Sequence, residues 1–417
     1  MKERSNFPYY LVLFLISPVL AFLSGAANFR QHSARLILVC FVGIFGFTII
    51  MDPARDSYRH GESLTTFYQH IDFSQFTDEM IGIVSFRGSS THSDEPVLPI
   101  ISYTLVQFTT NPAWLFLIIG LIYGFFFING ISLVYNEVHR NWNLALIILF
   151  VLFLSWKSFE GINSIRNYTG AWIFFNGAYL YLKTENKKYI LLVLAAPLFH
   201  IGYLVITLPF FAYYVLGDRR HLFLIILGVS YVLSVSVFVL EPFLMMTEIG
   251  ESKMNMYSAE LLQEQDTDPQ SFHAQYYLYA SRWAMQIIFI YAILMMGYTI
   301  GVHHDRFQYA LGSLSILMLA FANLGKFAPV LYNRIFVVFG LFALAYLIRL
   351  YSSLEESSPA SRYVVYLCLP FILLFVFTQY SMIGDYMDFR VLISPLAYPF
   401  LGDDPVSMKE FIRSLLF

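Results

Sequence analysis

The chain has 417 residues, of which 58% are hydrophobic and 13% charged, and its formal net charge is −3. Soluble chains carry about a quarter charged residues, so this composition excludes a soluble domain and implies a protein that crosses a bilayer many times. No nucleic-acid surface is visible, and the two cysteines, Cys40 and Cys368, both sit in apolar runs, which leaves neither a disulfide framework nor a zinc site.

The expected fold is all-α, a single polytopic transmembrane domain over residues 1–417 with about twelve transmembrane helices. Met1-Lys2-Glu3-Arg4, the apolar run 9–27 and its small residues imitate a signal peptide. Many more apolar segments follow, so we read an uncleaved first span. The next spans are 36–51, 112–135, 144–156 and 168–182. After the long segment 189–216 come 222–240, 276–300, 310–324, 328–350 and 363–380. Segment 97–108 is short and broken and reads as a re-entrant or interfacial helix.

Segment 189–216 is flanked by Lys187-Lys188 and by Asp218-Arg219-Arg220. Both flanks are cytoplasmic by the positive-inside rule, which a single span does not allow. A hairpin of two short spans meeting at 197–200 satisfies both and carries His200 towards the outer face. The basic turns 28–35, 137–140, 183–188 and 217–221 then share the cytoplasmic side. Outer loops near 52–111 and 241–275 are acidic on the other side, where we expect the chemistry. Asp52-Pro53, Asn111-Pro112, Asp268-Pro269 and Ser358-Pro359 read as helix caps followed by proline at the first helical position. Residues 407–416 read as an amphipathic helix in a tail that lies outside.

Three groups of residues carry candidate chemistry. Asp52-Pro-Ala-Arg55-Asp56-Ser-Tyr58-Arg59 follows the second span. A carboxylate there, Asp56 above all, has the chemistry to deprotonate a sugar hydroxyl or to hold a hard cation. Arg166, Arg282 and Arg334 each stand near the outer end of a span. Guanidinium groups bind phosphate bidentately and stay charged, so their convergence would make an anion site that stabilises a leaving pyrophosphate. The third group is His200 within its broken span, since an ionisable group at a membrane edge is a functional candidate by default. No glycine-rich nucleotide loop and no zinc motif occurs, and we expect neither a metal nor a cofactor.

Four features together resemble the EpsG-type branch of the Wzy polysaccharide polymerases, which include the O-antigen polymerases. They are the Asp-rich segment 52–59 with its trailing Tyr58, and Arg166 followed after ten residues by Gly177. The others are Leu198-Phe199-His200 beyond the basic turn 183–188, and Tyr332-Asn333-Arg334 opening a late span. The arginine-to-glycine spacing is found once here, whereas that family has it in two loops; Arg282 and Arg334 lack the glycine.

The resemblance implies a multi-span glycosyltransferase, similar to the GT-C-like enzymes, in a bacterial inner membrane with its active site facing the periplasm. It would move a growing glycan from undecaprenyl pyrophosphate onto a lipid-linked repeat unit. Partners would be that lipid-linked glycan, the bilayer and a chain-length regulator. Arg166, Arg282 and Arg334 would hold the pyrophosphate, with Arg166 also acting in catalysis. Asp56 or His200 would accept the proton. Arg55, Tyr58, Arg59, Tyr168, Tyr332 and Asn333 would contact the substrate. An O-antigen ligase and a polyprenyl-phosphate-sugar transferase are the rival enzymes; a flippase or exporter of lipid-linked sugars is the rival of another class.

Overall fold

Proline decides where the first apolar run breaks. The computed structural model describes residues 6–51, 56–85, 95–138, 142–233, 276–298, 305–353, 359–400 and 405–416, and among these it has 18 α-helices. Pro18 has no amide hydrogen and drives the preceding residue out of the helical region. Ser17 is extended (φ −158°, ψ 121°), so the run 9–27, expected as one span, divides into α1 (Phe7–Ile16) and α2 (Pro18–Ala27).

Next come α3 (His32–Phe47), α4 (Asp56–Ser63) running into a π-turn at Leu64–Tyr68, α5 (Phe73–Val84) and α6 (Val97–Val106). α7 (Pro112–Tyr135) opens as its sequence implies: the Asn111 side chain accepts from Ala113 N at 2.9 Å and Pro112 fills the first turn. α8 (Leu144–Trp156), α9 (Ile165–Thr184), α10 (Ile190–Phe199), α11 (Tyr203–Leu216) and α12 (Arg220–Val232) follow. The chain continues through α13 (Tyr276–Tyr298), α14 (Arg306–Leu324), α15 (Pro329–Ser353), α16 (Pro359–Leu367), α17 (Leu369–Tyr386) and α18 (Met408–Leu416). The expected caps Asp52 and Asp268, and Ser358 ahead of α16, lie outside the described residues.

Among the described residues four helices are long and apolar enough to cross a membrane: α7, α14, α15 and α17. Several shorter apolar helices accompany them, which is the make-up of a multi-pass membrane protein. The expected total of about twelve spans, the two short ones of the hairpin included, is not confirmed by the described residues. α10 and α11, with 10 and 14 residues, are about 15 and 21 Å long at 1.5 Å per residue. A hydrocarbon core is about 30 Å thick. α14 and α15 are the central helices, each 83% buried over its apolar window, whereas α17 is 22% buried and turns most of its surface outward.

Small residues let helices touch at backbone distance. α3 lies along α7 through Gly46 and Gly120: a Cβ on Gly46 would come within 2.2 Å of Phe116 O, and one on Gly120 within 2.7 Å of Val42 O. α9 meets the next two helices in the same way, Gly177 against the backbone of Val193 and Gly170 against the Tyr203 ring.

Ion pairs define one end of the bundle. The Glu137 carboxylate, after α7, takes Lys183 Nζ at 2.5 Å and also binds Arg349 of α15. Arg349 reaches Asp305 ahead of α14, and Arg306 pairs with Glu185 after α9. The buried Arg220 donates to the carbonyls of Met296 and Tyr309, bringing in the start of α12 and the end of α13. α9, α13 and α15 therefore all run towards this basic end. α10 leaves from it at Lys187–Lys188 and α11 returns to it, with the Tyr181 and Tyr214 rings 5.7 Å apart. Residues 190–216 are thus a helical hairpin whose tip, residues 200–202, lies at the opposite end of the bundle.

Candidate functional site

That opposite end collects the starts of α9 and α15 and the hairpin tip. Pro197 weakens the last turn of α10, and His200 leaves the helix in an extended conformation (φ −157°, ψ 118°). Its ring turns towards Glu95, the residue directly ahead of Pro96 and α6. Glu95 is fully buried, and each of its carboxylate oxygens has a partner. Oε1 receives the His200 Nδ1 hydrogen at 2.5 Å and Ile201 N at 3.2 Å, while Oε2 receives Arg166 Nη1 at 2.7 Å. Burial alone would raise the Glu95 pKa. The hydrogen bond from His200 and the positive charge of Arg166 outweigh it and hold the carboxyl well below the usual carboxylate range. A buried, ionised carboxylate is therefore the anchor of this site.

Carboxylate contact at Nδ1 fixes the imidazole tautomer and leaves Nε2 as the free lone pair. His200 Nε2 is buried and has no hydrogen-bond partner among the described residues. It faces Arg334 across Gly202: His200 Nε2 and Arg334 Nη1 each lie 3.3 Å from where a Cβ on Gly202 would stand. Arg334 is half-buried and forms no hydrogen bond or ion pair among the described residues. An oriented imidazole and an uncommitted guanidinium therefore open onto the same small space.

The other expected site residues fall around this cluster or away from it. Tyr168, two residues after Arg166, is half-buried with Lys157 Nζ 4.7 Å above its ring. Tyr332 stacks on Phe336 at 5.5 Å, and Asn333 is exposed. Arg282 lies on α13 nearer the start than the basic end, with its side chain outside the described set. Asp56 opens α4, again with an undescribed side chain, and Arg55 lies outside the described residues. Tyr58 and Arg59 are exposed on α4; Tyr58 lines a separate cavity. The structure thus brings Arg166, His200 and Arg334 together and leaves Tyr58 apart from them.

Glu95 is the residue that sequence reasoning passes over, counting it among the charges of an acidic loop. Its signal is the one that singles out Arg166, an ionisable group at the immediate edge of an apolar segment. Gly177 has a plain structural role, the close approach of α9 and α10.

No curated protein and no solved structure matches the chain. Residues 65–391, which hold the whole of this cluster, match the EpsG family, a family associated with exopolysaccharide biosynthesis, and the protein belongs to it.

Proposed function

We propose that the protein is a Wzy-type polysaccharide polymerase. It transfers a growing glycan from undecaprenyl pyrophosphate onto a lipid-linked repeat unit at the periplasmic face of a bacterial inner membrane. The observation that carries this reading is the cluster itself: Glu95 holds His200 and Arg166, and Arg334 faces His200 across Gly202. A base oriented by a carboxylate beside two guanidinium groups is what glycosyl transfer from a pyrophosphate requires.

In this mechanism the acceptor hydroxyl gives its proton to His200 Nε2 as its oxygen bonds to the anomeric carbon of the donor glycan. The carbon–oxygen bond to pyrophosphate breaks, and the electron pair leaves with the phosphate. Arg334 and Arg166, with Arg282 the third candidate, stabilise the charge that develops there. Glu95 stabilises the imidazolium until its proton passes to water or to the departing pyrophosphate. His200 takes precedence over Asp56 as proton acceptor because Glu95 orients it. Tyr168, Tyr332 and Asn333 flank the arginines and contact the sugars nearest the pyrophosphate. The partners are the lipid-linked glycan, the bilayer and a chain-length regulator.

The test uses purified protein in detergent, a pyrophosphate-linked repeat unit, no nucleotide sugar and a chelator, with the glycans separated on a gel. A ladder of added repeats is expected from the wild type, and none from Arg334→Ala or His200→Ala. Failure of the wild type to extend its cognate repeat, together with transport of that lipid across vesicles, would replace the polymerase by an exporter.

A further inference from the structure

A second cavity, of about 960 Å³, opens among the end of α3, α4, the start of α7 and Arg390, Tyr398 and Pro405. It is distinct from the arginine cluster. The α4 helix and its π-turn form one of its walls through Tyr58, Glu62, Thr65 and Thr66, while Ser57, Leu64 and Tyr68, on another face, are buried. α4 also packs against residues 159–164, the segment leading into Arg166, and the π-turn packs against α6, which follows Glu95. The cavity therefore lies about one helix diameter, roughly 10 Å, from the elements that hold the cluster.

Its lining is of an unusual kind. Trp114 (46% exposed) and Tyr58 (38% exposed) present open aromatic faces. Trp114 is held edge-on against Phe47, and Phe47 stacks on Tyr398, which makes an aromatic arc along one side. In the same lining the Glu62 carboxylate has no hydrogen bond or ion pair among the described residues. The Asn111 Oδ1 is used in capping α7, and its amide hydrogens remain unassigned among the described residues. An isoprenoid tail would need an apolar wall without an unpaired carboxylate. A phosphate would need several cations, and the lining offers Arg390, already paired with Asp388. Aromatic rings in one lining with a carboxylate acceptor and an amide donor fit a different ligand, a ring with C–H groups on its faces and hydroxyls at its rim.

We infer that this cavity is a carbohydrate-binding site that holds the sugar portion of a lipid-linked glycan while its pyrophosphate end occupies the arginine cluster. The inference rests on the polymerase reading for the identity of the sugar. Trp114 and Tyr58 supply the platforms, and Glu62 and Asn111 supply the hydrogen bonds.

The experiment separates the two readings by measuring binding without turnover. The probe is the free repeat-unit oligosaccharide, released from the producing strain's polysaccharide, carrying neither lipid nor phosphate. It is titrated by calorimetry into the full-length protein in detergent. Binding is expected for the wild type, weakened roughly tenfold or more by Trp114→Ala and by Glu62→Gln, and unchanged by Arg334→Ala. Glu62 is exposed, so its isosteric substitution tests the site without unfolding the protein. No binding by the wild type, or binding lost only in Arg334→Ala, would overturn the cavity while the ladder assay still stands. Binding with the expected pattern alongside a missing ladder would keep the cavity and remove the polymerase.

Discussion

Glu95 Oε1 lies 2.5 Å from His200 Nδ1, a contact that joins the approach to α6 with the tip of the α10–α11 hairpin. Arg166 on the other oxygen completes a buried array in which one carboxylate holds a neutral imidazole and a guanidinium. Breaking such an array by removing one partner is far costlier than a surface pair would be, because the remaining charge stays buried.

Glu95→Ala should therefore destabilise the protein by about 3–5 kcal/mol, leaving Arg166 without its counter-charge. Thermal unfolding in detergent reads this directly. The acid limb follows from the depressed Glu95 carboxyl. Its stabilisation is fully present above the ordinary glutamate pKa and is lost as pH falls below it towards the folded-state value. Acid unfolding of the wild type should be steeper than that of Glu95→Gln, which cannot ionise.

Arg334 makes the opposite prediction. It has no ion-pair partner among the described residues, so Arg334→Ala should change stability by no more than about 0.5 kcal/mol. Glycan extension should nevertheless fall by about 10²-fold or more, the loss expected of a preorganised group that stabilises transition-state charge. Equal losses in stability and activity would make Arg334 a structural residue.

Gly202 has helical backbone angles (φ −54°, ψ −21°), so alanine is tolerated there by the main chain. The added methyl would sit 3.3 Å from both His200 Nε2 and Arg334 Nη1. Gly202→Ala should leave the melting temperature nearly unchanged and lower kcat for extension by about tenfold, the effect of misplacing reacting groups by a fraction of an ångström. Kinetics with the lipid-linked repeat, beside a melting curve, check both halves.

Gly177→Ala places a methyl 2.8 Å from Val193 N, a backbone atom that cannot swing aside. Overpacking of this kind costs about 1–3 kcal/mol. The variant should melt earlier yet extend glycans at a normal rate per folded molecule. Loss of activity at unchanged stability would give Gly177 a part in substrate handling.

At the basic end, Glu137→Ala strips the shared partner from Lys183 and Arg349. Its carboxylate is buried (3% exposed), so a loss of about 3–5 kcal/mol is expected. Activity per folded molecule should persist, because Lys183 stands about 25 Å from Arg166 along α9.

The all-α membrane character is legible in the sequence because apolar runs and charge spacing are local properties. The hairpin at 190–216 is legible for the same reason: two basic flanks cannot lie on opposite sides. The break at Ser17-Pro18 is equally local, yet a reading by apolar run alone passes over it. Arg166, His200 and Arg334 stand out one at a time, each an ionisable group at an apolar edge. Their meeting through Glu95 is not legible, since a contact across 105 residues leaves no trace in the neighbourhood of either residue. The wall that Arg390, Tyr398 and Pro405 give to the cavity is hidden for the same reason.

That wall is tied to the end of α3 by backbone pairing: Ile50 N donates to Tyr386 O at 3.0 Å, and Ile49 forms an antiparallel bridge with Met387. The end of α3 leaves the ribosome early, whereas its partners in this pairing, Tyr386 and Met387, follow much later. Domains assemble in the order in which they are synthesised. A nascent chain can therefore insert most of its helices with the pocket still standing open on one side. The proposed sugar site is therefore enclosed only after the segment beyond α17 has been made, well after the helices that carry Trp114 and Glu62.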